Sequence, residues 1–135
     1  MIEDNVASGC RYIEYIGPNN YIMENPVDEI SYTFIISSPG TYKVSWFMRQ
    51  PDEAEGDKSN DVWIRMDGNV GLFGDKTFQN YRKFVGRSKG VFGMNGKLEA
   101  HHDFAKFNCN FSEAGEDKIK IAGRSELIQI DNIVF

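Results

Sequence analysis

Hydrophobic and polar residues alternate along several short stretches of this chain, and clusters of turn residues separate the stretches. RYIEYI ends at GPNN, ISYTFIIS ends at SPG, and TYKVSWFMR, DVWIRM, KFNCNF and DKIKIAG follow. A period of two bounded by Gly, Pro and Asn is typical of antiparallel strands, and no stretch has a helical period of useful length. The pattern predicts an all-β domain over residues 1–135, with about eight or more short strands in a two-sheet sandwich.

The stretch TYKVSWFMR indicates which side chains face the core. Because successive side chains of a strand point to opposite faces, Tyr42, Val44, Trp46 and Met48 share one face. We predict that this face packs in the core. The Pro39–Gly40 pair just before the stretch predicts a tight reversal between two antiparallel strands.

The stretch DVWIRM has the same alternation, with a tryptophan on its polar face. The predicted core side is formed by Val62, Ile64 and Met66. Trp63 then lies beside Arg65 on the opposite face, where a large exposed apolar side chain would suggest a binding platform. The alternative is that Trp63 packs beneath the following segment, residues 68–104. That segment is rich in glycine and aromatic residues and is predicted to be a long loop region with one or two short strands.

Charge and composition exclude several classes of partner. The net charge is −5, and the Lys and Arg residues are spread along the chain, so no basic face for nucleic acid is expected. The sequence has no run of about 18 apolar residues, so no membrane span is predicted. The first residues, MIEDNVASG, do not resemble a signal peptide. We expect either a cytoplasmic protein or a module of a larger secreted protein. Cys10 and Cys109 could form one disulfide or remain two free thiols.

An acidic segment, residues 53–61, precedes the DVWIRM stretch. Its oxygen-bearing side chains are Glu53, Glu55, Asp57, Ser59, Asn60 and Asp61. Calcium prefers six to eight oxygen ligands, and amides and carboxylates also bind sugar hydroxyls. The segment could therefore hold calcium, contact sugar, or be only a solvated turn.

Two short patterns carry weaker signals. GRS occurs at 86–88 and again at 123–125, and is explained either by turn chemistry or by an arginine that reaches an acidic or sulfated sugar. His101 and His102 are adjacent, so in a strand they would point to opposite faces, and we expect a surface pair rather than joint metal ligands.

Three stretches in order resemble the family-6-like carbohydrate-binding modules. ISYTFIISSPGTYKVSWFMR resembles their strand, Pro-Gly turn and strand, and CRYIEYIGPNNY occupies the place of their early strand. EAGEDKIKIAGRSELIQIDNIVF resembles their closing pair of strands. The similarity covers most of the chain and is weakest in residues 68–104. It implies a jelly-roll β-sandwich of two antiparallel sheets that binds polysaccharide without catalysis and is usually attached to a secreted glycoside hydrolase or lyase.

The resemblance also implies site residues. The family's two sugar-stacking aromatics correspond to Tyr15 or Tyr21 and to one of Tyr81, Phe84 and Phe92, and its sugar-binding amide corresponds to Gln129. A structural calcium ion would be held by Glu3 and Asp131. Independently of the resemblance, aromatic faces and planar polar groups suit pyranose rings, so a further set is expected to contact sugar if its members converge. That set is Trp63, Arg65, Arg49, Asp57 and Asn60.

The predicted function is non-catalytic binding of polysaccharide or oligosaccharide. The chain would be a monomeric module of a larger secreted or cell-surface enzyme, which it holds at plant or algal cell-wall glycan. One alternative is a protein-interaction or adhesion sandwich of a surface assembly. A small glycosidase or lyase is a further alternative, although no Ser/His/Asp set or activated cysteine pattern is present.

Overall fold

The computed structural model describes residues 2–66, 80–100 and 102–135, and these residues fold almost entirely as strands. In chain order the strands are β1 Ile2–Glu3, β2 Arg11–Glu14, β3 Val27–Ile36, β4 Gly40–Lys43, β5 Ser45–Arg49, β6 Asp61–Met66, β7 Arg82–Val85, β8 Gly93–Asn95, β9 Lys97–Ala100, β10 Asp103–Ala105, β11 Asn108–Phe111, β12 Gly115–Gly123 and β13 Gln129–Val134. A single 3-10 turn, Ser8–Cys10, lies between β1 and β2. The all-β prediction is confirmed.

The strands form antiparallel sheets in a sandwich-like arrangement. One sheet has five strands in the order β1-β2-β13-β5-β8, and the other has six in the order β10-β9-β7-β6-β12-β3. A short ribbon of β11 and β4 completes the fold. Within the described ranges, no helix is long and apolar enough to cross a membrane.

The core lies between the two large sheets and is built from the alternating residues that the sequence indicates. Its members include Val44, Trp46, Met48, Val62, Ile64, Met66, Phe84, Leu98, Phe107 and Ile119. The predicted inward faces of β5 and β6 are therefore confirmed. Tyr42, one strand earlier, is half-buried and packs against this core.

The prediction that Pro39–Gly40 makes a tight reversal between two paired antiparallel strands is wrong. β3 pairs with β12, whereas β4 pairs with β11, so the chain passes from one sheet to another at residues 37–39. The Tyr42 hydroxyl donates to the Ser38 carbonyl oxygen at 2.7 Å and braces this corner. A Pro-Gly pair fixes a local change of direction but does not determine which strands become neighbours.

The described part of the 68–104 segment contains more strand than predicted. It contributes β7, β8, β9 and the start of β10, because Phe84 and Leu98 are fully buried and anchor β7 and β9 in the core. Glycines at 86, 90, 93 and 96 interrupt the alternation and hide these short strands from a pattern search. Residues 68–79 and His101 lie outside the described residues.

The two cysteines are not bonded to each other. Cys10 is exposed, whereas Cys109 is buried with its Sγ atom 3.6 Å from Met66 Sδ. Burial raises the pKa of the Cys109 thiol to about 12, with a smaller contribution from the charge of Asp117. The free-thiol alternative is therefore the one that the structure shows.

Candidate functional site

The outer face of the six-stranded sheet carries a row of side chains that runs across five strands. In register, Phe104 lies beside Glu99, Glu99 beside Lys83, and Lys83 beside Trp63. Ala122 on β12 continues the row. Paired residues of neighbouring strands point to the same face, and three members of this row, Lys83, Glu99 and Phe104, line a surface depression.

The depression is a polar cleft of about 370 Å³, which we call the outer cleft. Its lining includes Tyr21, Asp57, Lys58, Asn60, Asp61, Lys83, Arg87, Glu99, His102, Phe104, Arg124 and Ser125. Two of these are large exposed aromatic residues: Tyr21 is 58% exposed and Phe104 is 56% exposed. The cleft thus combines aromatic surface with a dense set of charged and amide groups.

The floor of the outer cleft is a network of buried ion pairs. The side chains of Asp61 and Glu99 are only 3% and 8% exposed. Lys83 Nζ lies between them, 3.4 Å from Asp61 Oδ2 and 2.5 Å from Glu99 Oε2. Asp61 also accepts hydrogen bonds from Arg124 Nη1 and from the Ser125 hydroxyl. Because every buried carboxylate has a cationic partner, the floor is held rigidly and without an uncompensated charge.

Arg124 connects this floor to the aromatic part of the cleft. Its guanidinium carbon lies 4.9 Å from the ring centre of Tyr21 and 4.9 Å from that of Trp63. The Nη1 atom is bonded to Asp61, but the Nε atom is buried and has no hydrogen-bond partner among the described residues. A buried donor without an acceptor is costly. A ligand in the cleft can reach the 14% of the Arg124 side chain that is exposed, but not the Nε atom.

Three of the sequence-predicted sugar residues meet at the outer cleft. Tyr21, Asp57 and Asn60 line it directly, and the acidic segment therefore forms one of its walls. Trp63 lies beneath the cleft and is 7% exposed, so it offers no open platform. It is covered by the segment before β3, where its Nε1 atom donates to the Asn20 carbonyl oxygen at 2.9 Å. Met23 of the same segment packs against it.

Arg49, Phe92 and Gln129 lie on the opposite side of the molecule, on the outer face of the five-stranded sheet. Arg49 Nε donates to Gln129 Oε1 at 2.6 Å, and the Gln129 amide donates to Glu14 at 2.5 Å. The Arg49 guanidinium lies 4.3 Å from the ring centre of Phe92. The resemblance predicted Phe92 and Gln129 as site residues together with Tyr15 or Tyr21, and residue chemistry predicted Arg49 with Asp57 if they converge. The fold separates all three residues from the outer cleft.

Three other predicted aromatics are enclosed by protein. Phe84 is fully buried in the core, 4.4 Å from Trp46, and therefore presents no face to a ligand. Tyr81 is buried beside Trp63, and its hydroxyl donates to Glu29. Tyr15 is half-buried with its hydroxyl bonded to the Pro18 carbonyl oxygen at 2.8 Å, and burial raises its pKa.

The predicted calcium ligands Glu3 and Asp131 already have other partners. Asp131 accepts hydrogen bonds from the Ser8 backbone nitrogen at 2.7 Å and from its hydroxyl at 3.1 Å, and Glu3 is an exposed partner of Arg11 at 3.9 Å. Calcium needs six to eight oxygen ligands, and the donors around Asp131 are hydrogen-bearing groups instead. Across the described ranges, no three His, Cys, Asp or Glu residues come together as a metal site. These contacts do not test the binding of an ion, and a calcium role stays a prediction.

Comparison with known proteins gives no function for this chain, so a function must be assigned from the chain's own residues. No protein-family model, curated protein or solved structure matches this chain. The resemblance to carbohydrate-binding modules is therefore a prediction that binding experiments must test.

Sequence reasoning did not identify Asp61 as an ion-pair centre, and among the other residues of the outer cleft it missed Lys83, Glu99 and Phe104. The last three lie within residues 68–104, where no strand register could be assigned. The signal that could have found them is cross-strand pairing, because Lys83, Glu99 and Phe104 become neighbours only when β7, β9 and β10 are aligned. Arg87 and Arg124, the arginines of the two GRS sequences, both line the cleft.

Proposed function

We propose that this protein binds polysaccharide without catalysis and that the outer cleft is its binding site. The observation that carries the proposal is the pair of exposed aromatics, Tyr21 and Phe104, at an open polar cleft lined by amide, carboxylate and guanidinium groups. Aromatic faces favour the C–H face of a pyranose, and planar polar groups bind its hydroxyls in pairs. Such a mixed surface suits a hydrated polymer better than an apolar ligand.

The ion pairs of the cleft carboxylates support binding rather than hydrolysis. Its buried carboxylates, Asp61 and Glu99, are tied to Lys83 and therefore positioned as structural ion pairs. A glycosidase needs one carboxyl group free to donate a proton and a second to act as base or nucleophile. Asp57 is exposed on the rim, where it can accept hydrogen bonds from sugar hydroxyls.

The biological role we propose is to hold an attached carbohydrate-active enzyme at plant or algal cell-wall glycan. Tethering converts later encounters between enzyme and substrate into intramolecular ones and raises the local concentration. Such a module acts where the glycan is, so the complete protein would be secreted or displayed at the cell surface.

Affinity electrophoresis across neutral and acidic plant and algal polysaccharides tests the proposal. We expect one class of polymer to retard the protein, without release of reducing sugar. The same gels run with calcium and with a chelator test the predicted calcium ion, because its loss would weaken binding together with thermal stability. Release of reducing sugar would contradict the non-catalytic assignment, and no retardation by any polymer would contradict polysaccharide binding.

Substitution of one exposed tyrosine identifies the site. Tyr21→Ala removes an aromatic face from the outer cleft and should weaken binding by about tenfold, which corresponds to roughly 1.4 kcal/mol. The matched control is Tyr32→Ala, since Tyr32 is also exposed but belongs to β3 at the far edge of the sheet. Equal binding by both variants would remove the outer cleft from the proposal.

A protein-interaction role is the second candidate, and β3 is the feature that favours it. This ten-residue strand is the last of its sheet, and it exposes Ile30, Tyr32 and Ile35. Long edge strands with apolar side chains can pair with a strand of another chain. If no polysaccharide binds, a charged substitution such as Tyr32→Lys that abolishes capture of a protein partner would favour this role.

A further inference from the structure

We propose that the outer cleft selects an acidic sugar and that Arg124 and Arg87 bind its carboxylate. This inference rests on the proposed polysaccharide binding and adds the chemical class of the sugar. The charges of the cleft and the shape of the guanidinium group support it.

The buried floor of the cleft is electrically balanced and does not itself set the preference for charge. Asp61 and Glu99 supply two negative charges, and Lys83 and Arg124 supply two positive charges. His102 Nδ1 lies 3.5 Å from Glu99 and adds positive charge when it is protonated. Any preference for a charged ligand must therefore come from the rim and from donors that the floor leaves unused.

The rim carries an excess of positive charge. Arg87 and Lys58 are exposed and make no ion pair within the described part of the chain, whereas Asp57 is the one carboxylate at the rim. Two cations and one anion leave one net positive charge at the mouth of the cleft. In a protein of net charge −5, this local excess indicates an anionic ligand.

Arg124 contributes the directional part of the site. Its Nη1 atom is bonded to Asp61, and its guanidinium carbon lies 4.9 Å from the ring centres of both Tyr21 and Trp63, so three side chains position the group. The buried Nε atom remains without an acceptor in the described structure. A ligand contacts the guanidinium group through the 14% of the Arg124 side chain that is exposed, because the Nε atom itself is closed to solvent.

A carboxylate fits these donors better than a hydroxyl group does. Hydrogen bonds between a guanidinium and a carboxylate are charge-assisted and about twice as strong as neutral ones, and the planar shapes of the two groups match. Arg87 at the rim supplies the second cation for the same charge. A uronic acid residue of a polymer carries such a carboxylate on a pyranose ring that can also lie against Tyr21.

Paired ligands that differ only in charge test the inference. Oligouronates prepared from pectin and alginate, and the same oligomers fully methyl-esterified, are compared by titration calorimetry at low salt. We expect at least one free acid to bind about tenfold more tightly than its ester, and we expect added salt to weaken this binding. Neutral glycan oligomers are titrated in parallel.

Two variants locate the carboxylate within the cleft. Arg87→Gln removes an exposed cation, and Arg124→Lys keeps the charge beside Asp61 but removes the planar guanidinium group. Each should reduce the preference for acid over ester by about three- to tenfold. Lys43→Gln is the matched charge control, because Lys43 is exposed on β4 in the separate two-stranded ribbon, and it should change nothing. Melting temperatures check that each variant is folded.

The possible outcomes separate this inference from the function on which it rests. Equal binding of acid and ester, or binding of neutral glycan alone, overturns the acidic-sugar assignment and leaves polysaccharide binding in place. A preference for acid that Arg87→Gln and Arg124→Lys leave unchanged overturns the assignment to these arginines. Failure of every acidic and neutral ligand to bind overturns both.

Discussion

Arg49 and Arg124 lie on opposite faces of the sandwich, and both contact aromatic rings and a carboxylate. They differ in whether their hydrogen-bond donors have acceptors within the protein. Arg49 lies near the rings of Tyr12 and Phe92, at 5.2 and 4.3 Å, and is bonded to Asp4 at 2.8 Å and to Gln129 at 2.6 Å. Arg124 also lies between two aromatic rings and is bonded to a carboxylate. Its Nε atom, in contrast, has no acceptor among the described residues, and the exposed part of its side chain lines a cleft.

The comparison shows that the types of residue present do not by themselves define a binding site. Around Arg49 the donors and acceptors are matched within the protein, so the cluster joins the N-terminal segment to β5 and β13 and stabilises the fold. Around Arg124 the charges of the cleft floor are balanced. Among the described residues, however, the cations at the rim have no ion-pair partner and the Nε donor has no acceptor. A ligand can gain free energy only where groups of the protein remain to be satisfied.

The largest effect is expected for Asp61→Asn, at the floor of the outer cleft. The change removes the charge that compensates Lys83 and Arg124 and should lower the free energy of unfolding by about 2–3 kcal/mol. Urea unfolding followed by tryptophan fluorescence measures the loss. Asp57→Asn, on the exposed rim of the same cleft, should change stability by less than about 0.5 kcal/mol. Equal stabilities of the two variants would show that the floor network is not structural.

A smaller effect on stability is expected for Arg49→Met, which tests whether the second face is only structural. Methionine keeps much of the apolar stem, but Asp4 and Gln129 lose their partner, so we expect a loss of about 1–2 kcal/mol. Arg49→Met should bind as tightly as the unsubstituted protein to the polysaccharide that retards the protein in affinity electrophoresis. Arg124→Met should weaken that binding, and reduced binding by Arg49→Met would mean that the face of the five-stranded sheet is also a site.

Much of the fold was predictable because it follows from patterns among residues close in sequence. Alternation placed Val62, Ile64 and Met66 in the core, because the period of a strand is a local property. The same alternation put Trp63 on the opposite face, which is also correct. It could not show that residues 18–25 fold back over the ring, since this contact joins segments about forty residues apart.

The candidate site was less predictable because it depends on register. Tyr21, Asp57 and Asn60 were identified from their chemistry, but Gln129 and Phe92 have similar chemistry and lie on the other face. Phe104 offers no local signal that separates it from buried Phe84. Only the alignment of β6, β7, β9 and β10 brings one aromatic to the cleft and turns the other into the core.

The smallest expected effect concerns Asp4, whose contribution should depend on pH. The backbone nitrogen of Val6, 2.8 Å away, and the Arg49 guanidinium hold the pKa of this carboxyl below its ordinary value of 3.8. The folded protein therefore retains the charge at a pH where the unfolded chain takes up a proton. The resulting stability is fully present above the ordinary pKa and is lost as the pH falls through the lowered one.

Asp4→Asn should accordingly have a lower urea midpoint than the unsubstituted protein at pH 7, with a smaller difference at pH 3. Asp57→Asn is the control, because its exposed carboxyl should leave the midpoint unchanged at pH 7. A difference for Asp4→Asn that stays constant down to pH 3 would mean that its charge is not what joins the N-terminal segment to Arg49. The effect would then come from contacts of residue 4 that do not depend on its charge, and Arg49 would be held by Gln129 and the two rings alone.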